Sequence, residues 1–75
     1  MKRMFIKMEM INEVNSLWKK AKEVKGDVIL KRGKFSVDAK SILGIMAINI
    51  QEGVTIEYPE DAVNFEKYIR DFEIE

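Results

Sequence analysis

The strongest constraint on this chain is a change of apolar period early in its length. From Met4 to Met10 the residues alternate, with Met4, Ile6, Met8 and Met10 on one side and Lys7 and Glu9 on the other. A period of two predicts a strand with one buried face. Phe5 breaks the polar side, so something is expected to cover the start of that strand. The period then lengthens. Val14, Leu17, Trp18, Ala21 and Val24 recur three or four apart, as one stripe of a helix does. Asn12 reads as its N-cap, Glu13 suits the positive first turn, and Lys19, Lys20, Lys22 and Lys25 suit the negative end. Gly26 reads as the stop.

The remaining elements follow from the same reasoning. Val28, Ile29 and Leu30 within Asp27 to Arg32 predict a short strand. Arg32-Gly33 is a tight turn, and Phe35 and Val37 predict the return strand of a hairpin. Asp38-Ala39-Lys40-Ser41 interrupts the strand pattern. Ser41 is a natural N-cap for a short helix from Ile42 to Ile48, and Asn49 suits a left-handed residue at its end. After Gly53, Val54, Ile56 and Tyr58 alternate with Thr55 and Glu57 as a fourth strand. Pro59, Glu60 and Asp61 are expected in the first turn of a closing helix. Ala62, Phe65, Ile69 and Phe72 form its buried stripe. The order β-α-β-β-α-β-α predicts an α+β fold over residues 1–75, read as one domain. It is an open-faced two-layer sandwich, with a four-stranded antiparallel sheet and three helices on one face. Leu17, Trp18, Ile56, Phe65 and Ile69 are expected in the core.

Composition removes several function classes. The chain is 47% hydrophobic and its 13 basic and 13 acidic residues cancel. A nucleic-acid binder normally carries a basic surplus, and none is present, so no nucleic-acid partner is expected. There is no cysteine and no histidine. This removes disulfides, thiol nucleophiles, imidazole bases and the commonest soft metal ligands. No apolar run approaches the ~20 residues needed to span a bilayer. Lys7 and Glu9 interrupt the one segment that starts like a signal peptide. The expectation is a cytoplasmic protein with no membrane partner, no cofactor and no metal.

The run Asp38-Ala39-Lys40-Ser41-Ile42-Leu43-Gly44-Ile45-Met46 resembles the regulatory-serine signature of the histidine-containing phosphocarrier (HPr) family, typically Lys-Ser-Ile-Met-Gly-Val-Met. The spacing to Gly53-Val54-Thr55-Ile56 is similar to that family's Gly-x-x-Ile strand entry, and the Gly33-Lys34 turn fits as well. The resemblance implies the HPr fold and a regulatory role. It makes Ser41 the residue that an HPr-type serine kinase would phosphorylate. The family's other signature, Gly-x-His-x-Arg-Pro between the first strand and first helix, is missing. The junction here reads Met10-Ile11-Asn12-Glu13-Val14 and is shorter.

Three readings compete at the site level. In the first, Ser41 is a phosphorylation site and Ile42, Leu43 and Met46, on one arc of the short helix, form a contact surface for a protein partner. A serine kinase and a transcriptional regulator are the partners considered. Ile45 and Ile48 lie on another arc. In the second, the chain is a degenerate HPr paralogue with an unrelated binding role, and Ser41 is only a cap. In the third, Glu57, Glu60, Asp61, Glu66, Asp71, Glu73 and Glu75 supply a small enzyme or ligand-binding module. The first, a non-catalytic regulatory or adaptor protein, is the leading reading. Without an imidazole, a phosphodonor that charges HPr on histidine should leave this protein unmodified. Acid-labile phosphate on the purified chain after such treatment would refute the loss of the relay.

Overall fold

The structure is a computed structural model that describes residues 1–74. Its main elements are β1 (Lys2–Ile6), α1 (Ile11–Lys22), β2 (Ile29–Arg32), β3 (Phe35–Asp38), α2 (Ile42–Ala47), β4 (Val54–Tyr58) and α3 (Val63–Ile69). Single 3₁₀ turns follow α2 at Ile50–Glu52 and α3 at Arg70–Phe72. The four strands form one antiparallel sheet in the order β1-β4-β2-β3. The expected order and sheet are therefore present. Among the described residues no helix is long and apolar enough to cross a membrane.

Alternation fixes which face is buried. Met4 pairs with Ile56, Ile56 with Leu30, and Leu30 with Val37, so one apolar row crosses all four strands. Met4, Ile6, Leu30, Val54, Ile56 and Tyr58 are buried on that side, beneath Leu17, Ala21, Ile45, Phe65 and Ile69 of the helices. The opposite face is open. Glu57 of β4 lies there between Arg3 (3.8 Å) and Lys31 (3.3 Å) of the flanking strands. Trp18 is only half-buried against the core rather than inside it.

Several boundaries differ from the sequence pattern. The alternation of Met4 to Met10 overstates the strand, which ends at Ile6. Met8 is still buried, but Met10 is exposed and stands at the N-cap of α1. Asn12 is not the cap. Glu13 folds back instead, and its carboxylate accepts from the amides of Met10 (3.1 Å) and Glu9 (3.2 Å). A third-turn-position carboxylate thus satisfies donors that the cap side chain leaves free. The helix ends at Lys22, well before Gly26, which takes a positive φ of 107° in the turn that follows. Pro59 precedes α3 rather than opening it. Its carbonyl accepts from the Ala62 amide at 3.1 Å, which closes a turn through Glu60 and Asp61 before the helix starts at Val63. Asn49 is left-handed as expected, with φ 60°.

The C-terminal segment closes on β1. The Ile74 amide donates to the Phe5 carbonyl at 2.9 Å and the Lys7 amide donates to the Phe72 carbonyl at 3.0 Å. These bonds are to backbone at the end of β1, and the Phe5 side chain stays exposed on the open face. Gly53, at φ 98°, lets Phe5 lie against the backbone: a Cβ there would sit 2.9 Å from the Phe5 ring. Tyr58 of β4, Phe65 and Tyr68 of α3 and Phe72 of the turn that follows form a ladder of ring contacts 5.6 to 6.3 Å apart.

A polar cluster ties β1 and β4 to α3. The Tyr58 hydroxyl donates to Glu66 Oε2 at 2.6 Å, the Lys2 ammonium donates to the same oxygen at 3.0 Å, and Arg70 lies 3.7 Å from Oε1. Burial, followed by the hydrogen bond and charge of Glu66, pushes the Tyr58 hydroxyl up to about 12. The Tyr58 and Lys2 hydrogen bonds hold the Glu66 carboxyl below its usual range. Glu66 therefore stabilises the native state above the ordinary carboxylate range, and that contribution is lost as pH falls through its depressed native value. Tyr58 contributes fully below its unfolded value near 10, and loses its contribution as pH rises towards about 12. Glu66→Gln should lower the urea midpoint at neutral pH, with the deficit shrinking in acid. Tyr58→Phe should make the alkaline decline shallower. Trp18 fluorescence through urea titrations across pH would read both effects, and parallel profiles for parent and variants would count against this account.

Candidate functional site around Ser41

Ser41 has extended backbone (φ −106°, ψ 116°) where the chain leaves β3 and turns into α2. Its Oγ accepts from the Gly44 amide at 3.2 Å, and its carbonyl accepts the first bond of α2 from Ile45 at 3.1 Å. The residue is exposed to solvent. Used as an acceptor in the cap, the hydroxyl keeps its own proton for another partner.

The segment before Ser41 is fastened to α1. Asp38 Oδ1 accepts from the Lys40 amide at 2.8 Å, and the Asp38 carbonyl accepts from the Ser41 amide at 3.0 Å. Ala39 is buried and its amide donates to the Val28 carbonyl at 2.8 Å. Lys40 is held at both ends. Its carbonyl accepts from the Trp18 indole N–H at 3.0 Å, and its ammonium donates to the Val24 carbonyl at 2.7 Å, just past the end of α1. A cation placed just beyond the last turn of α1 also complements the helix dipole. Lys22 lies over the Trp18 ring, 4.4 Å from its centroid.

Gly44 allows α2 to sit close to β3. A Cβ at Gly44 would be 3.2 Å from both the Asp38 carbonyl oxygen and Val37 Cβ. From that seat Ile45 and Ile48 point into the core, while Leu43 is 77% and Met46 58% exposed. Ile42 is half-buried and packs against the core. The surface beside Ser41 is therefore carried mainly by Leu43 and Met46.

The carboxylates do not converge. Glu57 lies between Arg3 and Lys31, Glu66 among Tyr58, Lys2 and Arg70, and Glu73 beside Arg70. Glu75 lies outside the described residues. Among the described residues there is no group of three or more carboxylate, cysteine or histidine side chains able to hold a metal ion.

Sequence reasoning missed the part that positions Ser41. Nothing local marks Trp18 as the partner of Lys40, 22 residues away. A tryptophan in an apolar stripe reads as core unless the need of its N–H for an acceptor is weighed. Exposed Met10 and Ile11 at the start of α1 were missed too, because the alternation through Met10 suggested burial.

Comparisons with known proteins bear on the family and on the fold. A family model described as the PTS HPr component phosphorylation site matches residues 13–61, a span holding Ser41 and all of α2. Its first matched residue, Glu13, lies within the Met10–Val14 junction. No curated protein matches the chain. Among solved structures, the fold is similar to the crystal structure of a phosphocarrier protein HPr from Bacillus anthracis str. Ames, with a TM-score of 0.68 and 21% identity over 97% of this chain and 94% of that one. With most of its length matched by that family model and its whole fold shared with an HPr, the chain belongs to the HPr family.

Proposed function

We propose that this HPr-family protein is a non-catalytic regulatory or adaptor domain that works through protein contacts around Ser41 and is controlled by phosphorylation of that serine. The observation that carries this reading is one of placement. An exposed Ser41 hydroxyl, within the family's serine signature, stands beside exposed Leu43 and Met46 on a helix fixed to the core by Ile45 and Ile48. A kinase needs the first, and a partner needs the second. Exposed Met and Leu on a rigid element give adaptable apolar contact area. An HPr-type serine kinase and a transcriptional regulator are the partners this reading favours. A chain with no histidine forms no phosphohistidine, so the contact surface is what it retains of the family's equipment. If Ser41 serves only as a cap, the chain is a paralogue whose binding role is unrelated to phosphorylation.

Incubation with an HPr serine kinase and ATP should add the mass of one phosphate, and Ser41→Ala should abolish the gain. No gain in the parent, or an undiminished gain in the variant, would overturn the assignment of Ser41.

Stability should separate cap from surface. Ser41→Ala should cost about 0.5–2 kcal/mol through the lost cap, while Ser41→Asp should keep most of it, since Asp is also a good N-cap. Leu43→Glu and Met46→Glu should change stability by no more than about 0.5 kcal/mol, as exposed substitutions do, yet weaken partner binding. Ile42→Glu should destabilise clearly, because Ile42 packs on the core. Urea unfolding of the five variants checks each value, and unfolding by Leu43→Glu or Met46→Glu would remove the contact surface from the argument.

A further inference from the structure

The hairpin end of the sheet carries a different surface, with Lys31 and Phe5 on the open face and Arg32 and Phe35 on the side of Leu30 and Val37. Beside the β2–β3 hairpin lies an open groove of about 620 Å³ whose lining includes Phe5, Lys31, Arg32, Lys34, Phe35 and Glu52. Phe35 is 74% and Phe5 43% exposed. The lining holds three cations to one carboxylate in a chain whose charges otherwise cancel. Adding Arg3 and Glu57 from the adjacent row of the sheet leaves the positive excess at two. Arg32 is paired with Glu52 at 2.6 Å and Lys31 with Glu57 at 3.3 Å. Among the described residues no carboxylate pairs with Lys34.

A second observation bears on what could lie there. β3 is an edge strand, and among the described residues Phe35, Ser36 and Val37 make no backbone hydrogen bonds beyond their pairing with β2. Unpaired donors and acceptors along a strand edge are a template for another extended chain.

We propose that the β3 edge and the groove beside it dock an extended acidic segment of a partner protein. The segment adds as a strand along Phe35–Val37, turns its carboxylates to Lys31 on the open face and to Lys34 at the turn, and rests its apolar side chains on Phe35 on the other face. The charge excess selects an acidic segment, and the free strand edge selects a peptide. A nucleic acid has no backbone to complete a sheet, and its phosphates would run past Glu52 and Glu57. This surface is separate from that of Ser41 and does not rest on the regulatory reading.

The test uses a fluorescein-labelled peptide alternating Glu with Val, the same peptide with Lys for Glu, and a single-stranded oligonucleotide of equal charge. Fluorescence anisotropy should show saturable binding of the acidic peptide alone, weakening as salt rises. Amide resonances of Phe35 to Val37 should shift on binding. Lys34→Glu and Phe35→Ala, both at exposed side chains, should each weaken binding about tenfold with an unchanged circular dichroism spectrum. Ser41→Asp should bind as the parent does. No saturable binding, tighter binding of the oligonucleotide, or parental affinity in both groove variants would each overturn the proposal.

Discussion

The pairing of β4 with β1 on one side and β2 on the other is the interaction on which the rest of this structure depends. A strand with a neighbour on each side has its register fixed twice. Val54, Ile56 and Tyr58 face the helices, and a slip of one residue would turn Thr55 and Glu57 into the core. The same slip would separate Glu57 from Arg3 and Lys31 on the open face. β1 and β4 lie near opposite ends of the chain, so the central row of the sheet closes only when distant segments meet. Contacts of that separation slow folding more than local helical contacts do. The cluster of Tyr58, Glu66 and Lys2 adds polar bonds at that closure.

The legibility of the sequence followed the same logic. β4 could be read because Val54 to Tyr58 alternates strictly and has neighbours that enforce the alternation. The start of α2 could be read because Ser41 caps it through a short-range hydrogen bond, and Asn49 because few other side chains tolerate a left-handed backbone. The junction after β1 could not. Met8 and Met10 continue an alternation that the chain abandons at Ile6, and the helix is capped by Glu13 reaching back, while Asn12 has a cap-like side chain and no such role. Pro59 suits a helix start and a turn equally well in sequence. Its contact with Gly26, where a Cβ would lie 3.0 Å from Pro59 Cγ, is a long-range fact.

The neighbourhood of Ser41 was legible in identity and not in mechanics. Sequence alone assigned Lys40 no role of its own. In the fold its ammonium is spent on the Val24 carbonyl and its carbonyl on Trp18. Lys40 thus works as a strap between α1 and the approach to α2, and the exposed serine rests on a fixed base. Gly44 completes this arrangement by letting α2 approach Val37 and Asp38 so closely that a side chain there would push its neighbours back by a few tenths of an ångström.

The docking of the C-terminal segment on β1 has a consequence for how this sheet can be extended. Residues 72–74 occupy the edge of β1 from Phe5 to Lys7, and what remains open there begins with the charged pair Lys2 and Arg3. A sheet grows into a fibre only when both of its margins accept new strands. Here the second half of one margin is closed from within the same chain, and its first half, Lys2 to Met4, is what a further strand would meet. The charges of Lys2 and Arg3 stand at that open half, and charge on an edge strand opposes edge-to-edge pairing, so the partial closure and the charge together guard this margin against growth of the sheet.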